Sequence, residues 1–194
     1  FDTGETDYSA TSGGINVIVP EYGDVDINGE IQPYDASLIL KYLVGSVELD
    51  YHQERNADVS LDNTVSALDA TLILQYTVGL LDTLPYSDTT AFIASGDISM
   101  QNGEIQPGQL IEIPIYLSNG DNILSFDGSL AYNPEHLTYN EIIWSQLVNY
   151  FTIEVNQEDG EIMAAGAGTV PDGEEGVFAT LIFTVNDNFN EDAT

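Results

Sequence analysis

The stretch Gly23-Asp24-Val25-Asp26-Ile27-Asn28-Gly29-Glu30-Ile31-Gln32-Pro33-Tyr34-Asp35 decides the fold of the first part of the chain, and an apolar run follows it directly. Oxygen-bearing side chains occupy loop positions 1, 3 and 5, Gly29 stands at position 6, where the chain must turn sharply, and Asp35 closes the loop at position 12. This is the ligand spacing of a calcium loop. The sequence therefore predicts a calcium loop that opens a helix.

A second copy of this unit follows, offset by 34 residues from Asp24 to Asp58. Its loop repeats the spacing with Asp58, Ser60, Asp62, Asn63, Thr64, Ser66 and Asp69. In both copies apolar residues recur at i, i+1, i+4 and i+5, which places them on one face of a helix. Each helix ends at a glycine, Gly45 or Gly79, as expected for a left-handed terminal residue. One helix cannot cover its own apolar face, so the two copies are predicted to pack together as a calcium-dependent module.

The charge of the chain is strongly negative. Thirty-three acidic residues face one Lys and one Arg, which gives a formal net charge of −31. Nucleic acids and anionic membranes are disfavoured as partners because the chain has no cationic surface to neutralise phosphate. Divalent cations are favoured, and adaptation to high salt is an open alternative for the acidic residues outside the two loops.

Other chemistries are limited by the residue types present. The chain has no cysteine, which excludes disulfides, thiolate nucleophiles and cysteine zinc sites. It has two histidines in unlike settings, which argues against a histidine metal cluster. No nucleophile and base constellation or phosphate loop is present, so the chain is not expected to be an enzyme. Because it opens at Phe1 without a Met or a basic leader, we expect a mature or excised fragment.

From Thr90 the pattern changes to short strand-like runs separated by turn residues. They are 92–99, 110–117, 123–132, 151–155, 161–167 and 177–185. This spacing predicts a β-sandwich. Pro114 is expected to mark an edge strand or a bulge, and Trp144 to lie in a partly helical stretch. A further run, Ile15–Val19, has the signature of a strand without a neighbouring partner.

The two loops and helices resemble a dockerin, a calcium-binding module that joins secreted proteins to scaffoldins, over about residues 21–84. Both copies keep ligand-type residues at positions 1, 3, 5, 9 and 12. The second loop departs from the pattern at Ser60, which offers a neutral oxygen, and at Asn63 in place of Gly. Asn is the non-glycine residue that best tolerates a left-handed turn. The resemblance implies two Ca²⁺ sites, of which the second is expected to be weaker.

The same resemblance implies roles for individual residues. The first site is expected to use the side chains of Asp24, Asp26, Asn28 and Asp35, the Glu30 carbonyl, and Gln32 directly or through water. The second is expected to use Asp58, Ser60, Asp62, Asp69, the Thr64 carbonyl and Ser66. The expected partner-reading positions are Pro33, Tyr34, Leu40 and Lys41, together with Ala67, Leu68, Leu74 and Gln75. They are more apolar than the hydroxyl pair common in cellulosomal dockerins, so intramolecular or structural docking is also open.

The second half resembles a cohesin, the β-sandwich (jelly roll) that receives dockerins. The resemblance rests on the order and spacing of 108–116, 126–137 and 176–183. It implies a multidomain α plus all-β chain with an N-terminal strand segment (1–20), a dockerin-like module (21–84) and a cohesin-like sandwich that lacks its last strands (85–194). Because 13–19 resembles a closing cohesin strand, we hypothesise that Ile15–Val19 completes a sandwich, in the same chain or a neighbour, by strand addition.

These features favour a non-catalytic, extracellular scaffolding or adhesion fragment of cellulosome type whose partner is a cohesin or a dockerin. Two alternatives remain. One is a carbohydrate-binding or accessory region of a polysaccharide-degrading enzyme, which would need Tyr116, Tyr132, Tyr139, Trp144 and Tyr150 on an exposed surface. The other is a calcium-rigidified spacer between β-domains.

Overall fold

The fold is given by a computed structural model, which describes residues 7–11, 14–86, 95–100, 105–121, 123–170 and 173–187. Three helices follow an N-terminal β-hairpin and precede two antiparallel sheets. The hairpin is β1 Asp7–Thr11 and β2 Gly14–Ile18, and the helices are α1 Pro33–Leu43, α2 Tyr51–Ala57 and α3 Ala67–Thr77. The remaining strands are β3 Ser95–Met100, β4 Leu110–Asp121, β5 Ser125–Ala131, β6 Leu137–Trp144, β7 Thr152–Glu158, β8 Glu161–Ala167 and β9 Gly176–Val185.

The helix of each repeat begins two residues before the closing aspartate of its loop. In α1, Gln32 is the N-cap and Asp35 completes a capping box at the third helical position, while Ser66 and Asp69 do the same in α3. Gly45 and Gly79 end the helices with φ of +71° and +76°, which confirms the prediction of left-handed terminal residues.

The segment between the repeats contains α2, which holds the first loop in place. Asp50 caps it by accepting hydrogen bonds from the backbone N–H groups of His52 and Gln53. The Asn56 side chain donates to the carbonyl of Asp24 at 2.8 Å, and the Asn56 carbonyl accepts from the N–H of Gly23 at 2.8 Å. The connection that the sequence identified as a linker with a short helix therefore fixes the start of the first loop.

The β-sandwich consists of a four-stranded sheet in the order β3, β4, β9, β6 and a three-stranded sheet in the order β5, β8, β7. Leu181 and Phe183 from β9 and Ile162 from β8 form one part of the core between them. The side chains of Tyr132 and Tyr139 pack edge-to-face on Phe183. The predicted β-sandwich is thus confirmed, and its inward face follows the two-residue alternation of its strands.

One sequence expectation in this domain is wrong. Trp144 is the last residue of strand β6, which pairs with β9, rather than part of a helical stretch. A short 3₁₀ turn, Gln146–Val148, begins two residues later and explains why the sequence around Trp144 indicated a helical stretch. Pro114 lies in β4 and pairs in register with Thr180 of β9, and a register shift against β9 follows between Ile115 and Tyr116. In the described part of the chain the pairing of β3 with β4 ends at Ile115, so Pro114 lies beside an irregularity of the sheet and next to the end of the described β3 pairing.

The N-terminal strand pairs differently from our hypothesis. Residues 14–18 form an antiparallel hairpin with 7–11, and the two strands make a sheet of their own. Within this chain, Ile15–Val19 therefore does not complete the sandwich, and its addition to a neighbouring chain stays a prediction. Between strands β3 and β5, each at the edge of its sheet in the described chain, lies an apolar groove of about 500 Å³.

Candidate functional site

The closing aspartate organises the first loop. One carboxylate oxygen of Asp35 accepts hydrogen bonds from the N–H groups of Val25 (2.8 Å) and Asp26 (3.1 Å), and the other accepts from the N–H of Gln32 (2.8 Å). Asp35 is fully buried, so these donors replace the water that would otherwise solvate it. The carboxylate therefore joins the start of the loop to the start of α1.

Asp24 performs the matching task at the other end of the loop. Its two oxygens accept from the N–H groups of Asn28 (3.0 Å) and Gly29 (2.8 Å). Gly29 has φ of +89°, the left-handed geometry that the sequence predicted for position 6. The side chains of Glu30 and Gln32 are hydrogen-bonded to each other at 2.9 Å.

The first loop can hold a divalent cation. Asp24, Asp26 and Asp35 each offer an oxygen, and these oxygens lie within 4.8 Å of one another. Calcium binds oxygen at about 2.3–2.6 Å, so two ligands of one ion lie at most about 5 Å apart. The donor set is all oxygen and mostly carboxylate, as a hard cation prefers. The loop therefore fits calcium, with Asp24, Asp26 and Asp35 as the side chains that would hold it.

The second loop has the same frame with fewer converging carboxylates. Asp69 accepts from the N–H of Ser60 (2.9 Å) and from both the N–H and the hydroxyl of Ser66 (2.9 and 3.0 Å). Asp58 accepts from the N–H groups of Asp62 and Asn63 at 3.2 and 3.1 Å. Asn63 has φ of +67°, the left-handed geometry expected of it at position 6. In the described chain, three converging acidic groups occur in the first loop and not here.

Burial controls the protonation of both closing aspartates. It raises the pKa of Asp35 and that of Asp69, because the charged form loses hydration. The backbone donors oppose this rise in both residues, and the neighbouring Asp26 adds to it in Asp35. A bound cation would favour the charged form of both carboxyl groups and so oppose the effect of burial.

The helical module covers the face of the three-stranded sheet that points away from the four-stranded sheet. Helices α1 and α3 pack on each other and both contact β8, while α1 also contacts β7 and α3 also contacts β5. Ala165 and Ala167 of β8 are fully buried in the hydrophobic core of the helical module, and Met163 packs against it. The two halves of the chain therefore share a continuous apolar contact across the β5/β8/β7 face.

Polar contacts border this apolar centre. Glu154 of β7 accepts from the hydroxyl of Ser37 at 3.1 Å, and its carboxylate lies 3.8 Å from the Lys41 ammonium. Asn156 donates to the carbonyl of Val44 at 3.0 Å. On the other side, the Thr71 hydroxyl donates to the carbonyl of Leu124 at 2.7 Å.

The predicted partner-reading residues occupy different environments. Pro33 and Tyr34 are exposed, Leu40 and Ala67 are buried, and Lys41, Leu68, Leu74 and Gln75 are half-buried. Lys41 contacts the sheet directly. Sequence reasoning missed Ser37, Thr71, Glu154 and Asn156 as contact residues. The one available signal was that the chain's single Lys lies on α1 in a strongly acidic protein, where a carboxylate partner is expected.

The aromatic residues considered for sugar binding lie mostly in the sandwich core. The Trp144 ring packs against the rings of Phe126 and Phe178, with centroids 5.5 and 5.7 Å apart. Tyr132 and Tyr139 pack on Phe183, Tyr116 is half-buried, and Tyr150 is exposed. The five rings therefore do not form a coplanar exposed platform. Among the described residues, no helix is long and apolar enough to cross a membrane.

Comparisons with known proteins agree with this architecture. Residues 22–76 match the Dockerin type I domain and residues 97–194 match the Cohesin domain. No curated protein matches the chain significantly.

Similar solved structures include a chain of a type I cohesin–dockerin complex from Clostridium thermocellum, with 22% identity and a TM-score of 0.44 over 50% of this chain and 75% of that one. A non-cellulosomal cohesin from Archaeoglobus fulgidus has 22% identity and a TM-score of 0.42 over 50% and 70%. A chain of a type II cohesin–X-dockerin complex from Acetivibrio cellulolyticus has 14% identity and a TM-score of 0.39 over 47% and 71%.

Dockerin and cohesin domains are non-catalytic modules of protein–protein assembly, and type I dockerins typically bind calcium. The cohesin match spans half of this chain, and the dockerin match covers the duplicated loops and helices described above. The chain therefore belongs to the cohesin family and carries a type I dockerin domain before its cohesin domain.

Proposed function

We propose that the chain is a calcium-binding scaffolding protein whose dockerin module docks on the β5/β8/β7 face of its own cohesin domain. The observation that carries the proposal is the burial of Ala165 and Ala167 in the core of the helical module. A sheet face that packs against helices in this way is a ready protein-binding surface. When the module is undocked, the same two surfaces would be available to other cohesins and dockerins.

In this proposal calcium supplies no chemistry and acts as a structural ion. Two ions are bound, by Asp24, Asp26, Asn28, Asp35, the Glu30 carbonyl and Gln32 in the first loop, and by Asp58, Ser60, Asp62, Asp69, Ser66 and the Thr64 carbonyl in the second. Each closing aspartate lies in the first turn of a docking helix, so an ordered loop fixes where that helix begins. Metal binding and the shape of the docking surface are thereby coupled.

The location proposed for the protein is extracellular or at the cell surface. This location would supply millimolar calcium, which saturates loops of modest affinity.

Ala165→Glu tests the docking. A carboxylate at a fully buried position between sheet and helices should detach the module, because an unpaired buried charge is costly. Small-angle X-ray scattering should then show a larger radius of gyration. The matched control is Ser129→Glu, which adds the same charge at an exposed site on β5 and should leave the chain compact.

Two further measurements separate undocking from unfolding. Trp144, the single Trp, reports on the folding of the sandwich through its fluorescence. Calcium titration by calorimetry reports on the loops. An Ala165→Glu chain that stays compact, with both reporters unchanged, would overturn the docking proposal.

A further inference from the structure

The duplication of the helical module raises the question of its orientation on the sheet. Ser37 and Lys41 of α1 correspond, at the 34-residue offset, to Thr71 and Gln75 of α3. Both helices contact the central strand β8. A half-turn of the module about an axis normal to the sheet would therefore exchange two helices of similar sequence, and the differences between them must decide which helix lies on β7.

The polar contacts distinguish the two helices. Glu154 interacts with both Ser37 and Lys41 of α1, which lie one helical turn apart. In the exchanged orientation the same carboxylate would meet Thr71 and Gln75. The hydroxyl contact could be retained by Thr71, whereas the ion pair could not be formed by Gln75.

The sheet itself carries an acidic residue on each side of its centre. Asp127 of β5 and Glu154 of β7 both pair in register with Ala165 of β8. Asp127 is exposed, whereas Glu154 is 29% exposed and lies under α1. An exposed carboxylate gains little from an ion pair, and a carboxylate partly removed from water loses more when its partner is taken away. The orientation that pairs Glu154 is therefore favoured over the one that pairs Asp127.

We propose that Glu154 determines the orientation of the helical module, by selecting a helix that presents a hydroxyl and, four residues later, a cation. This inference rests on the proposed docking of the module on the β5/β8/β7 face. It also specifies the partner that this face would accept from another chain, namely a dockerin-type helix with the same hydroxyl and cation spacing.

The test moves the cation from one helix to the other. Lys41→Gln combined with Gln75→Lys keeps the net charge and places the ammonium on α3. Because the chain has no cysteine, pairs of introduced cysteines can carry spin labels without background labelling. One label pair is placed at Ser46 and Glu158. Each of these lies two residues beyond a partner in the hydrogen bond between the Val44 carbonyl and the Asn156 side chain. The second pair joins Glu158 to Leu80, the counterpart of Ser46 in the second repeat.

Pulsed electron paramagnetic resonance then gives the population of each orientation. In the parent chain the pair at Ser46 should show the short distance. Each half of the cation exchange should change the ratio of orientations about two- to five-fold, the effect of one partly exposed ion pair. In the exchanged chain the short distance should therefore shift toward the pair at Leu80.

Two single variants assign the effect to Glu154. Glu154→Gln should remove the response to the cation exchange, because no carboxylate remains to select the cation. Asp127→Asn, the matched change on the other side of Ala165, should leave the ratio unchanged.

The outcomes are distinguishable. If the exchanged chain keeps the parent distances, or if Asp127→Asn alters the ratio as much as Glu154→Gln does, the orientation proposal is overturned and the docking stands. If both label pairs give long distances in the parent chain, the module does not dock on this face, and the proposed function fails with it.

Discussion

Replacing Asp35 by Asn should separate the calcium response of the first loop from its folding. The side chain keeps its size and loses its charge. Asp35 accepts three backbone hydrogen bonds, two at one oxygen and one at the other. An Asn side chain can orient its amide oxygen toward Val25 and Asp26, so its NH₂ group faces the N–H of Gln32 and that one bond is lost.

The magnitude without calcium follows from two opposing effects. A hydrogen bond to a charged acceptor contributes about 1.5–3 kcal/mol, and its loss destabilises the fold. Burial of the ionised carboxylate already costs free energy, as the raised pKa of Asp35 indicates, and the neutral amide avoids this cost. We therefore expect the free energy of unfolding in chelator to fall by about 1 kcal/mol.

The magnitude with calcium is larger. A ligand present at 100 times its dissociation constant stabilises the folded state by about 2.7 kcal/mol. Asp35→Asn removes the buried closing carboxylate, so this gain from the first loop should be lost. Urea unfolding followed by far-ultraviolet circular dichroism, in chelator and in calcium, measures both quantities.

The matched control is Glu30→Gln. It removes one negative charge from the same loop at a residue expected to bind calcium through its carbonyl, and it should retain the calcium response. The reasoning is refuted if calcium stabilises Asp35→Asn as much as the parent chain, or if Glu30→Gln loses as much of the response as Asp35→Asn.

Three further predictions concern strain, packing and pH. Ile27 is an exposed β-branched residue with φ of +59°, so Ile27→Asn should raise the free energy of unfolding by about 1 kcal/mol in urea titrations, and no gain would contradict the strain argument. A Cβ at Gly166 would overlap the Phe126 ring, so Gly166→Ala should destabilise the sandwich by about 1–3 kcal/mol in Trp144 fluorescence melts while leaving calcium binding intact; loss of calcium binding would show that the two halves are not separable. The pKa values of Asp35 and Asp69 are raised in the metal-free fold, so the chain in chelator should lose stability as pH rises from about 4 through those values. The stability gained from calcium should grow over the same pH range, because the ionised carboxylates bind the ion. Thermal melts in chelator and in calcium between pH 4 and 7 test this, and a rise of both curves together would contradict it.

The sequence predicted the helical module well because its features are local. The oxygen spacing of each loop, the glycine or asparagine at position 6 and the apolar stripe of each helix lie within about 25 residues of one another. Local geometry is then enough to place Gly29 and Asn63 in the left-handed region and to form the capping boxes of α1 and α3.

Strand partners could not be predicted in the same way. Trp144 was misassigned because a strand and a 3₁₀ turn meet beside it, and only its pairing with Ala179 of β9 resolves them. Ile15–Val19 carries a correct strand signal, but a period-2 pattern does not specify which edge the strand joins. The backbone groups of β2 could pair with any free strand edge, and composition does not show that they pair with β1.

By itself, the sequence determined the duplicated acidic loops and helices, the sandwich and the exclusion of cysteine chemistry, because each depends on residue type and short-range periodicity. The tertiary structure decided which surfaces meet. Lys41 and Glu154 lie 113 positions apart in the chain. They come within 3.8 Å of each other because the helical module and the β5/β8/β7 sheet both bury apolar area in the same contact. The first loop thus positions helix α1, and only the tertiary structure shows that this helix packs on the β5/β8/β7 sheet.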